Sequence, residues 1–125
     1  MKKFLSAASW AAPSADELRQ TIRDYIQGQE HRQGGFFIRD ERGDVVRRLE
    51  LVRVHERVGK TGDYYYSCTD MKDAATGDLL DLDFDISDTG PSLNVVEVRI
   101  HKDNGNPRYT YDANDNMIPV SQVSS

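Results

Sequence analysis

At 125 residues, with 38% hydrophobic and 30% charged side chains, the chain suits a single domain that buries its own core without disulfides or metal. One cysteine excludes an internal disulfide framework, and no apolar run reaches the roughly 18 residues needed to cross a bilayer, so a small soluble domain with no membrane span is expected. The net charge of −5 is unevenly divided: residues 1–62 hold 12 basic and 9 acidic side chains and residues 63–125 hold 4 and 12, so no nucleic-acid partner is expected.

Residues 1–13 open with Lys2-Lys3 and a short apolar stretch broken by Ser6 and Ser9, which reads as a loose N-terminus or a weak signal-like segment. A cytoplasmic location is expected unless that segment is cleaved, in which case the protein is periplasmic or secreted. Ser14-Ala15-Asp16-Glu17 is a capping box, in which the serine and the glutamate three residues on each satisfy the other's backbone amide. Leu18, Ile22, Tyr25 and Ile26 follow at helical spacing, and Gly28 or Gly34-Gly35 offers the left-handed C-cap.

Strands then follow in succession. Phe36 to Arg39 forms the first, and Val45 to Val58 the second, with a bulge near Leu51-Val52 that resets the alternation so that Leu49 and Leu51 before it and Val52, Val54 and Val58 after it can all face the core. In the third, Asp63 to Thr69, alternation points Tyr64, Tyr66 and Cys68 inward. The fourth is the most strongly patterned stretch of the chain: Leu80, Leu82, Phe84 and Ile86 share one face, and Asp81, Asp83 and Asp85 the other. The fifth, Leu93 to His101, points Val96, Val98 and Ile100 inward; Arg108 to Tyr111 adds a short edge strand, and a polar tail begins at Asp112.

One helix and a run of short-looped strands predict an α+β domain over residues 14–111, with the helix packed on the apolar face of a bent antiparallel meander of about five strands. This element order resembles the cystatin-like and NTF2-like folds. Asp73-Ala74-Ala75-Thr76-Gly77-Asp78-Leu79-Leu80 resembles the D-A-x-T-G turn of PepSY domains, small bacterial modules often found outside the cytoplasm.

Registering the strands by their apolar faces places Phe84 opposite Val98 and hence Asp83 opposite Arg99, and sets Cys68 opposite Leu80. The polar face would then carry two rows, His55-Tyr65-Asp83-Arg99 and Arg53-Ser67-Asp81-His101, lying beside solvent as cross-strand charge pairs. From these rows His55, Tyr65, Asp81, Asp83, Arg99 and His101 are the candidate binding residues. No catalytic set is assembled, since a nucleophile is missing, and the chain reads as non-enzymatic. No cofactor is implied. Neither Asp81-x-Asp83-x-Asp85 nor Asp112-x-Asn114-x-Asn116 has the glycine at position six and glutamate at twelve of a calcium loop, so no metal is expected. The leading functional expectation is a small module that binds a protein or peptide through the charged sheet face or a strand edge. The alternatives are an NTF2-like protein with a small-molecule pocket and an extracytoplasmic inhibitor-like module.

Overall fold

In the computed structural model, which describes residues 12–120, a single helix α1 (Ala15–Gln33) precedes all the strands. Ser14 caps it through the reciprocal exchange with Glu17, and Gly34, at φ 78°, ends it with its amide on the Glu30 carbonyl. A six-stranded antiparallel sheet follows, made of β1 (Phe36–Asp40), β2 (Val45–Thr61), β3 (Tyr64–Asp73), β4 (Leu79–Ser87), β5 (Asn94–Asp103) and β6 (Asn106–Pro107), ordered as they occur in the chain. A separate hairpin of β7 (Tyr109–Tyr111) and β8 (Met117–Pro119) completes the α+β architecture. Residues from Asp112 on therefore supply a turn and a strand: Asp112 accepts the amides of Asn114 and Asn116, and its repeat of acids and amides serves to close the β7–β8 turn.

The inner face of the sheet meets the helix. Leu80, Leu82, Phe84 and Ile86 are each fully buried there, against Leu18, Ile22 and Ile26 of α1 and Phe36, Leu49, Val54 and Met71 of the neighbouring strands. At roughly 1.5–3 kcal/mol per buried side chain, these contacts dominate the fold. The sheet curls so far that Phe36 of β1 lies 6.0 Å from the ring of Phe84 in β4. The end of the curl away from the helix is filled by charge. Asp40 is held by Arg47 at 2.9 Å and Arg108 at 2.7 Å, and these arginines also reach Asp73, Asp78 and Asp103. The Arg108 hydrogen bonds hold the Asp40 carboxyl well below the usual carboxylate range. Arg47 of the first half of the chain thus neutralises acids of the second, and Arg108 of the second half returns to Asp40 of the first.

Four irregularities set the phases of the strands, of which the one at Asp81/Leu82 belongs to the site described below. The bulge expected near Leu51-Val52 falls between Leu51 and Arg53, burying Leu49 and Val54 while Leu51 and Val52 remain exposed. A larger one throws out residues 55–57, where Ser67 Oγ donates to the His55 and Arg57 carbonyls and Arg19 to that of Glu56. In β5, the shift at Asp85/Ile86 turns Val95 toward the core and leaves Val96 exposed, the reverse of its expected phase.

The phase of β3 is also the opposite of the expected one. Cys68 pairs with Asp83 instead of Leu80, and Tyr66 with Asp85, so both side chains join the acids on the outer face while Ser67, Thr69 and Met71 face inward. Apolar character misleads here because the outer face is itself buried, under the β7–β8 hairpin. A strand buried on both faces carries no clean alternation.

Candidate functional site

The outer face of β4 is a layered polar site rather than an open charged surface. Asp83 is fully buried and Asp85 is 3% exposed. Asp83 Oδ2 accepts from the hydroxyls of Tyr109 and Tyr111, both at 2.6 Å, while its Oδ1 accepts from the Cys68 thiol at 2.7 Å. Both tyrosines come from β7, and so this carboxylate anchors the hairpin, which Arg99 and the Tyr66–Asp115 bond also hold. Their rings seal the layer: Tyr109 stacks on His101 at 4.7 Å and Tyr111 on Tyr66 at 4.5 Å. Burial, reinforced by Asp83, pushes both phenols well above their ordinary range, and it does the same to the Cys68 thiol. The Tyr66 phenol is raised to about 12, by burial and then by Asp115, to which its hydroxyl donates at 3.2 Å.

Of the six residues singled out from the sequence, the structure brings together Asp83, Arg99 and His101. Asp83 faces Arg99 as expected, and Phe84 faces Val98. The Arg99 guanidinium, however, pairs with Asp85 and donates to the hydroxyls of Tyr109 and Tyr111 at 3.3 and 3.0 Å. His101 is the extra residue of a bulge, because Asp81 pairs with Lys102 and Leu82 with Ile100. Its Nδ1 lies 3.4 Å from Cys68 Sγ and 3.7 Å from Asp83, and burial lowers its pKa. The same bulge turns Asp103 inward to the Arg108 cluster.

His55 and Asp81 belong to a second, more exposed group. His55 Nε2 lies 2.7 Å from Asp70 Oδ1, and Asp70 pairs across the strands with Asp81. Burial and the shared hydrogen bond to Asp70 raise Asp81 to about 6. Burial works against ionised Asp70 too, but hydrogen bonds from Asp81 and His55 outweigh it and lower its pKa. Tyr65 stands apart from both groups: it pairs with Ile86 on the inner face, under the Lys60 ammonium. The two predicted rows are thus replaced by Asp83-Cys68-His101 with its tyrosines and by His55-Asp70-Asp81. Cys68, Asp70, Tyr109 and Tyr111 were missed from the sequence because the reversed β3 phase and the folding back of the hairpin leave no local signal.

A second feature is the open seam of the curled sheet. Two hollows of about 430 and 350 Å³ run along it: Tyr25, Phe36, Phe37, Val95, Val96 and Val98 line the first, and Arg39, Arg42, Glu97 and Ile100 are among those lining the second. Between helix and sheet the space is filled by Leu18, Ile22, Ile26 and Phe84. The stretch likened to PepSY domains is a tight turn in which Asp73 accepts the amides of Ala75 and Thr76 and Gly77 takes φ 78°. Among the described residues no helix is long and apolar enough to cross a membrane. Compared with protein-family models, curated proteins and solved structures, the chain matches none. The class of protein defined here is therefore an α+β domain with one helix, an open curled antiparallel sheet and a buried acidic layer on its outer face.

Proposed function

We propose that the protein captures an extended peptide segment of a partner along the seam between β1 and β5. The supporting observation is the strand count. In an antiparallel meander β1 and β5 run in the same direction, so a strand laid between them is antiparallel to both and completes a six-stranded ring. The chain's own β6 starts that sixth strand, pairing with β5 at Lys102 and Asp103, and stops after Asn106 and Pro107. Beyond Lys102 the outer edge of β5 has no ladder among the described residues, and neither has that of β1. Such edges are templates for strand addition, in which main-chain hydrogen bonds supply affinity and side-chain hollows supply selectivity.

The lining gives the ligand its polarity. An antiparallel guest begins beside Arg42 and the Asp44-paired Arg39, with Glu41 and Glu97 nearby, and ends beside Phe36, Phe37 and Tyr25 with Gln29 and Gln33 at the rim. This lining suits a polar, partly acidic start and alternating apolar residues after. Of the expected binding surfaces, the edge has more support than the charged face, whose acids lie under the β7–β8 hairpin. The element order is compatible with a cystatin-like or NTF2-like topology, and the small-molecule pocket reading has less support because the helix–sheet interface is filled.

The test is fluorescence anisotropy with a labelled peptide, Asp-Asp followed by three Val-Thr repeats. Saturable binding that falls at least tenfold in Phe37→Asp/Val96→Asp, at two exposed seam positions, supports the proposal. Binding that is absent, or indifferent to both substitutions, refutes it.

A further inference from the structure

From the geometry of the outer face we infer that Cys68 Sγ, Asp83 Oδ1 and His101 Nδ1 form a binding site for a thiophilic divalent cation of the zinc type, with a water as fourth ligand. Three adjacent strands deliver these three donors: β3 brings the thiol, β4 the carboxylate, and the β5 bulge the imidazole. Tetrahedral zinc, with ligand bonds of about 2.0–2.3 Å, requires donor separations of roughly 3.4–3.6 Å. The sulfur–nitrogen separation is 3.4 Å, the imidazole lies 3.7 Å from the other carboxylate oxygen, Oδ2, and the thiol, carboxylate and imidazole donors all lie within 4.8 Å of one another. The sulfur–oxygen separation, 2.7 Å, needs to open by less than 1 Å.

The surroundings are those of a ligand set held in advance. Oδ2 of Asp83 is already occupied by two tyrosine hydroxyls, which fix the carboxylate plane and leave Oδ1 facing only the thiol. His101 is clamped by its stack on Tyr109 and by the edge of Tyr111, 5.8 Å away. Cys68 and His101 are both partly exposed, and from their side the ion can enter. On binding, the Cys68 thiol loses its proton to solvent, the Sγ–metal bond forms, and the aquo ion sheds water; no redox change is involved. The mixed sulfur, nitrogen and oxygen set excludes calcium and magnesium, which require oxygen ligands.

The test uses the full-length chain, stripped with chelator and titrated with Co²⁺ as a spectroscopic stand-in for zinc. The expected result is a thiolate-to-cobalt charge-transfer band with intense tetrahedral ligand-field bands at one ion per chain, lost in Cys68→Ser and weakened at least tenfold in His101→Asn. Zinc should also slow alkylation of Cys68 in the unsubstituted protein at least tenfold, a readout that stands if either variant fails to fold. Alkylation at the same rate with and without zinc overturns the inference. So does cobalt binding without a thiolate band, or binding kept in Cys68→Ser and lost in His55→Ala, which moves the ion to the His55-Asp70-Asp81 group.

Discussion

Removing the Tyr109 hydroxyl isolates the bond that docks the β7–β8 hairpin. Tyr109→Phe keeps the ring and its stack on His101 but takes one of three donors from a carboxylate that is fully buried, and with it the weaker 3.3 Å acceptor of Arg99 Nε. A hydrogen bond to a charged group contributes about 1.5–3 kcal/mol. In a domain of this size each kcal/mol corresponds to roughly 3–5 °C in Tm, so the variant should melt about 5–15 °C below the unsubstituted protein. Tyr111→Phe should cost a similar amount, since its hydroxyl lies at the same 2.6 Å from Asp83. In an Asp83→Asn background the acceptor is neutral, and Tyr109→Phe should then cost only about 1 kcal/mol. Calorimetry of the four proteins in that cycle measures the coupling directly. A Tyr109→Phe protein melting within about 1 °C of the parent at pH 7, or a cost unchanged by Asp83→Asn, would refute a hairpin held through this carboxylate.

Other substitutions probe the remaining parts. Asp81→Asn should stabilise the protein at pH 7.5: a carboxyl raised from 3.8 to about 6 represents at most about 3 kcal/mol, which solvent screening of a partly exposed group reduces to about 1. Because the pKa is raised, Asp81 itself contributes stability that grows as the pH falls from 7.5 toward 4.5, so the advantage of Asp81→Asn over the parent should shrink across that range, against a shared background in which buried His101, whose pKa is lowered, loses stability; the opposite contribution of Asp70, whose pKa is lowered, is lost only below about pH 4. Urea melts at four pH values check the slope. Asp40→Ala leaves Arg47 and Arg108 buried with one carboxylate fewer each and should cost about 3–5 kcal/mol, read as a lower urea midpoint at unchanged slope. Gly59→Ala should cost about 1–3 kcal/mol, because a Cβ there would lie 2.6 Å from a Tyr66 ring already stacked on Tyr111 and bonded to Asp115; loss of the near-ultraviolet tyrosine signal would follow that displacement.

What could be read in the sequence was whatever local chemistry determines. The Ser14 capping box, the helical stripe of Leu18, Ile22 and Ile26, and the alternation of Leu80 to Ile86 each concern residues within one or two turns or along one strand, and the α+β meander with its helix followed. The Phe84–Val98 register was legible only in part: matching the apolar faces excludes a slip of one residue but not of two, and the observed pairing is the one chosen. The phase of β3 was not, because Tyr66 and Cys68 are buried on the face that alternation labels polar. What buries them is β7, some 40 residues further along the chain, whose Tyr109 and Tyr111 hydroxyls are committed to a single aspartate. His101 was correctly placed on the outer face but against the wrong acid, since the bulge beside it is set by Asp103 turning inward to Arg108. The curled sheet also brings Asp40 to Arg108 across 68 positions, a contact no window of sequence displays.

Amide hydrogen exchange during titration with the Asp-Asp-(Val-Thr)₃ peptide tests the seam most directly. Protection should rise at saturation for alternate amides of Phe36–Asp40 and Asn94–His101, the two edges that a sixth strand would pair, with β7 and β8 unchanged. Protection confined to Tyr109–Pro119, or no change in either edge strand at saturating peptide, would contradict it.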